Sequence, residues 1–248
     1  MAQVKQDWYR LTIAMLAAFI AVTLALSQHP ILNNALPQGP NITYNYTETI
    51  SPKPALEITT PGGSFTTLVL NATQQSYKWK AYVGNVTGKL TLANAQGHVI
   101  YDWTLAIITG EVYASRNNTI DWGSITCADE TIITNEEQAL NIPSTSIDSI
   151  NNTFNNTIHR SFYVGGIHIQ NSTCPSIATY VNSSRQQLTE DADFQEVLLS
   201  DGSSLVYATL IEPGKQGFDW SNYDFQMIVA EDETAETPHT YYFWVEIG

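Results

Sequence analysis

The feature that most constrains this chain is an unbroken apolar run, Leu11 to Leu26, with a different kind of sequence on its far side. Ten residues precede it, with Lys5 and Arg10 among them and Trp8 and Tyr9 at the boundary. Beyond it the chain turns polar and acidic. Nine Asn-x-Ser/Thr triplets follow, starting at Asn41, Asn45, Asn71, Asn85, Asn117, Asn151, Asn155, Asn171 and Asn182. Chance would supply roughly three in a chain of this composition. An apolar address ahead of many sugar-acceptor triplets predicts a bulk that folds outside the cytoplasm and carries N-linked glycans.

Residues Trp8 to Ser27 are enough for a helix across the hydrocarbon core, with aromatics at the interface and the basic residues held inside. On that reading residues 1–27 are a membrane anchor and the lipid bilayer is a partner. Ala25-Leu26-Ser27 is also a small-x-small triplet suited to signal peptidase, so a cleaved leader and a secreted product stay open. The aromatic flank and the span favour the anchor. A pilin-type leader fits poorly, because Asp7-Trp8-Tyr9-Arg10 stands where such leaders carry a basic and a small residue.

Residues 28–63 hold Pro30, Pro37, Pro40, Pro52, Pro54 and Pro61, the composition of an extended stalk. Residues 64–248 are long enough for one buried core. Only 10 Lys and Arg face 24 Asp and Glu, a net charge of −14, so phosphate backbones find little to bind and nucleic acid is excluded as a partner. Cys127 and Cys174 are the only cysteines, and an even count in an oxidising compartment predicts one disulfide.

From Phe65 onwards, short apolar segments alternate with turn residues. TTLVL, YKWKAYV, VTGKLTLA, HVIYDW and AIITGEVYAS read as strands, with a turn at Asn94–Gly97. FQEVLLS and SLVYATLI flank Asp201-Gly202, a hairpin signal, and YDFQMIVAE and TYYFWVEI complete the series. Pro143 to Asp148 resembles a helix start capped by Thr145, running to about Asn156. The expected fold class is all-β: an Ig-like or jelly-roll-type β-sandwich with a short helical insertion.

No motif carries catalysis. Gly84-Asn-Val-Thr-Gly88-Lys89 lacks the spacing of a phosphate loop. His29, His98, His159, His168 and His239 show no metal-ligand spacing, and neither a catalytic residue nor a cofactor nor a metal site is expected. Glu190-Asp191-Ala-Asp193 and Glu231-Asp232-Glu233 read as solvated acidic loops rather than Ca²⁺ sites. Tyr77, Trp79, Tyr82, Tyr101, Trp103, Tyr113 and Trp122 could form a sugar-stacking face, but alternate aromatics on strands favour core packing.

YKWKAYVGNVTGKLTL, DWTLAIITGEVYAS, YDFQMIVAEDE and TYYFWVEIG together are similar to segments of archaeal cell-surface proteins of unassigned function. The resemblance spans about Tyr77 to Ile247 and implies an archaeal envelope location with no activity. The composite expectation is a membrane-anchored, N-glycosylated extracellular structural or adhesion protein. Two alternatives stand beside it: a subunit of an extracellular filament joined to other copies by strand pairing, and a secreted carbohydrate-binding module.

Overall fold

The computed structural model describes residues 36–248 other than Pro52, so the expected anchor or leader lies outside the described residues. The fold is mostly β. Its centre is a six-stranded sheet built from β4 (Gly110–Ser115), β5 (Thr126–Cys127), β8 (Ser176–Ala178), β9 (Gln195–Ser200), β10 (Leu205–Leu210) and β14 (Tyr242–Ile247). The order is β14-β4-β10-β9, and the short strands β5 and β8 share the outer edge of β9.

All six residues of β9 and all six of β10 are buried, the polar Gln195, Glu196, Ser200 and Thr209 included. Alternation still governs where each side chain goes. Val112, Ala114, Leu198, Leu205 and Tyr207 pack into one core, while Tyr113, Val197, Leu199, Val206 and Ala208 pack into another. The sheet is thus a middle layer with apolar cover on both faces. Each fully enclosed Val or Leu contributes about 2 kcal/mol.

One face is covered by a ribbon of β1 (Trp79–Gly84) and β13 (Phe225–Ala230), and by helices α1 (Glu130–Ala139) and α2 (Ile150–Thr153). The other is covered by the hairpin β6 (Phe162–Val164) and β7 (Ile167–Ile169), with Trp122 and Ile125. Two further ribbons stand apart: β2 (Lys89–Ala93) with β3 (Val99–Thr104), and β11 (Lys215–Gln216) with β12 (Asn222–Tyr223).

Polar side chains inside the sheet stitch these layers. Thr209 Oγ1 donates to Gln226 O at 2.8 Å, and Glu196 Oε2 accepts from Ile228 N at 2.9 Å. Buried Gln195 donates to the carbonyls of Thr189, Glu190 and Ala192 and accepts from Arg160 N. The disulfide Cys127–Cys174 forms, with Cα atoms 4.9 Å apart. It ties β5 to the segment entering β8, the two strands that share one edge.

Two expectations need correction. The helix start is not at Thr145: residues 143–149 turn, Ser149 caps α2, and Asp148 is engaged by the hydroxyls of Ser146 and Ser76. The longer helix is α1, capped by Asp129, whose carboxylate accepts from Ile132 N. TTLVL is not a strand. Residues 66–70 find no sheet partner among the described residues, and Val69 is 96% exposed.

Candidate assembly surface

The candidate surface begins where the chain enters the described part. Gln38 and Val245 exchange backbone hydrogen bonds of 3.1 and 2.8 Å at the outer edge of β14. From Gly39 to Ser76 every described residue is exposed and none belongs to a strand. Its prolines remove backbone donors, and one turn interrupts it, where Ser64 N donates to Pro61 O at 3.3 Å and the Thr60 and Thr66 hydroxyls lie 3.0 Å apart. It nonetheless holds Ile42, Tyr44, Tyr46, Phe65, Leu68 and Leu70 in water. The stretch re-joins the domain at Ser76, whose hydroxyl donates to Asp148 Oδ2 at 2.6 Å.

The β2–β3 ribbon is the second uncovered apolar surface. Its register sets Leu90 opposite Trp103 and Leu92 opposite Tyr101, so these four share one face. Lys89, Thr91, Asp102 and Thr104 share the other, where Lys89 and Asp102 form an ion pair. Leu90, Leu92, Tyr101 and Trp103 are 39%, 56%, 61% and 49% exposed. The Tyr101 and Trp103 rings meet at 65°, with centroids 5.0 Å apart.

The edge of β1 is also open. Glu231 N donates to Lys78 O at 2.8 Å, so alternate residues Trp79, Ala81 and Val83 turn their peptide groups away from β13. No strand among the described residues pairs with that side. Lys78 just precedes this strand and Lys80 sits on it, ion-paired to Asp148 and Glu233, and to Glu231, respectively.

The aromatics singled out by sequence divide between surface and core. Tyr113 and Trp122 are buried with rings 5.1 Å apart, and Trp79 and Tyr82 are half-buried against Phe154 and Phe243. Only Tyr77, Tyr101 and Trp103 of that set are exposed. A second aromatic group had no sequence signal: exposed Phe218 stacks at 10° on half-buried Tyr223, and Trp220, two residues on from Phe218, is exposed with φ 68°.

The titratable groups are dispersed. His159 is buried; its Nε2 accepts from Thr173 N and Cys174 N at 3.2 and 3.0 Å, and burial holds its pKa below the usual range. His98 pairs with Asn94, His168 lies against Tyr163, and His239 bonds Glu231. His29 lies outside the described residues. In the acidic loops, Glu190 accepts from Asn171 and Ser172, Asp193 pairs with Lys215, and Asp232 accepts from Asn141 and Thr234. Among the described residues no three metal-ligating side chains converge.

Four buried carboxyls stand out. Burial pushes Glu111, Glu196, Glu212 and Glu246 above the ordinary carboxylate range, Glu111 and Glu196 well above it. Glu246 accepts from Tyr113 Oη at 3.1 Å and from Gly165 N at 3.0 Å.

Of the acceptor asparagines, Asn41, Asn45, Asn71, Asn85, Asn117, Asn151, Asn155 and Asn171 are exposed. Asn182 is half-buried, its amide donating to Gln216 Oε1 at 3.1 Å and its Oδ1 enclosed without a partner. Among the described residues no helix is long and apolar enough to cross a membrane. No family model, curated protein or solved structure matches this chain.

Proposed function

We propose that this chain is an exported, N-glycosylated structural protein of a cell envelope whose copies join by donating an extended segment to one another. One observation carries the reading: among the described residues, 39–76 are exposed and belong to no strand, and their strand-forming apolar side chains lie uncovered. Water around Phe65, Leu68, Val69 and Leu70 is costly, and pairing with a sheet removes that cost. The apolar run Leu11–Leu26 would hold the first copy, or every copy, at the bilayer. The layered β domain, which we read as an Ig-like or jelly-roll-type sandwich, would be displayed outside with glycans on its exposed asparagines.

The test is sedimentation and electron microscopy of full-length protein from its native envelope, beside a variant lacking residues 64–72. The wild type is expected to assemble and the deletion to stay monomeric with an unchanged melting temperature. A wild type that stays monomeric at all concentrations would sink the proposal.

A second reading, a carbohydrate-binding module, rests on Phe218, Trp220 and Tyr223. A bulky residue at positive φ is strained, and here the strain presents an exposed indole close in sequence to two stacked rings. Oligosaccharide titration followed by tryptophan fluorescence tests it, with loss of the response in Trp220→Ala expected.

A further inference from the structure

We propose that the apolar face of the β2–β3 ribbon, formed by Leu90, Leu92, Tyr101 and Trp103, is the acceptor for residues Thr66–Leu70 of a second copy of this chain. The inference rests on the strand-donation reading and names its two contact surfaces.

A two-stranded ribbon is marginal in water, whereas a third strand with a shared apolar face makes a stable sheet. The β2–β3 ribbon is in that position. Among the described residues its two strands pair only with each other, its ion pair lies on the polar face, and its apolar face is uncovered. What it lacks is one strand with apolar residues at alternate positions.

Residues 66–70 supply such a strand. Thr66, Thr67 and Val69 favour extended geometry, and Leu68 and Leu70 fall on one side of it. The acceptor Asn71 falls on the opposite side, with Val69. A glycan there therefore points away from the ribbon when Leu68 and Leu70 face it.

Charge argues for the same contact. At net −14, copies of this chain repel one another. Ser64 to Ser76 contains no Asp, Glu, Lys or Arg, and neither does the apolar face of the ribbon. These two surfaces can meet without bringing like charges together. The open edge of β1 is less suited, because Lys78 and Lys80 guard it and the acceptor Asn85 stands at its end. Among the described residues of one chain both surfaces remain exposed, and the occupant proposed is another copy.

The test replaces Leu68 in the full chain with photoreactive benzoylphenylalanine, mixes isotopically heavy and light copies, and irradiates the assembly. Peptide mapping shows which residues meet position 68 and whether they belong to the same copy. Mixed heavy–light links into residues 89–104 are expected, falling at least about tenfold when Leu92→Lys and Trp103→Gln are combined. The link positions in the otherwise wild-type protein decide the matter even if the double variant folds poorly. Links confined to a single copy overturn the proposal. Mixed links to Trp79–Gly84 or elsewhere overturn the ribbon as acceptor but leave strand donation standing. Absence of mixed links, in a protein that stays monomeric without the probe, overturns both.

Discussion

Glu196 Oε2 accepts a hydrogen bond from Ile228 N at 2.9 Å, while its second carboxyl oxygen, equally enclosed, meets no polar partner. A side chain of the central sheet thereby takes the place of a neighbouring strand along β13. The fully buried site favours a neutral acid there.

That acid sets the sign of one pH dependence. Burial raises the folded pKa of Glu196 well above 4.5, so the folded state holds a proton that the unfolded chain has released. Its contribution is most favourable at and below about pH 4.5 and is lost as pH rises towards the folded value. Glu111 and Glu246 act in the same direction. Thermal unfolding across about pH 5 to 8 should show stability declining upwards, and Glu196→Gln should flatten part of that slope. An unaltered slope in the variant would exclude the assignment.

Asp148 has the opposite sign. Hydrogen bonds from Ser146 and Ser76, with Lys78 alongside, lower its pKa from 3.8 to about 2. Its stabilisation is complete above the unfolded value and is lost as pH falls towards about 2. Asp148→Asn should remove that acid-side loss. It should also raise hydrogen exchange around Ser76, where the extended stretch is tied to the domain.

Reducing Cys127–Cys174 frees a 47-residue separation in the unfolded chain. On the chain-entropy account this costs roughly 4 kcal/mol. Because the bond joins the two strands on one edge of β9, exchange should rise first in residues 126–127 and 176–178. Calorimetry and exchange of a Cys127→Ser/Cys174→Ser variant would check both, and a uniform rise in exchange would count against a local staple.

Glycan occupancy should follow exposure. Asn182 has its amide on Gln216 and its carbonyl oxygen enclosed, so glycopeptide mass spectrometry should find it empty in folded protein. Substantial occupancy there would mean that the sugar is added before the Gln216 contact forms.

Much of the strand placement along the chain was legible because turn chemistry is local. Gly97 and Gly202 take φ of 82° and 88°, which glycine adopts freely, and the strands around them appear where the pattern placed them. Helix α1 was not legible. Thr131, Ile132, Ile133 and Thr134 favour strands, and the helix is held from outside by Arg116 on Glu136 and by Glu137 on Asn151 N. TTLVL misled for the converse reason: its propensity is for strand, but among the described residues it pairs with no sheet edge. The apolar ribbon face was hidden until the register paired Leu90 with Trp103, because composition alone does not say which residues share a side.

The donor segment, β1 and the β2–β3 ribbon follow one another directly along the backbone. In a row of copies linked as proposed, tension would enter each protomer near Leu70 and leave near Lys89. It would run through covalent bonds along β1, and the disulfide-stapled core would hang from that strand as a side load. Stretching such a row would straighten the approaches to β1 and the turn after it before drawing on the central sheet. The rope would be the peptide chain itself.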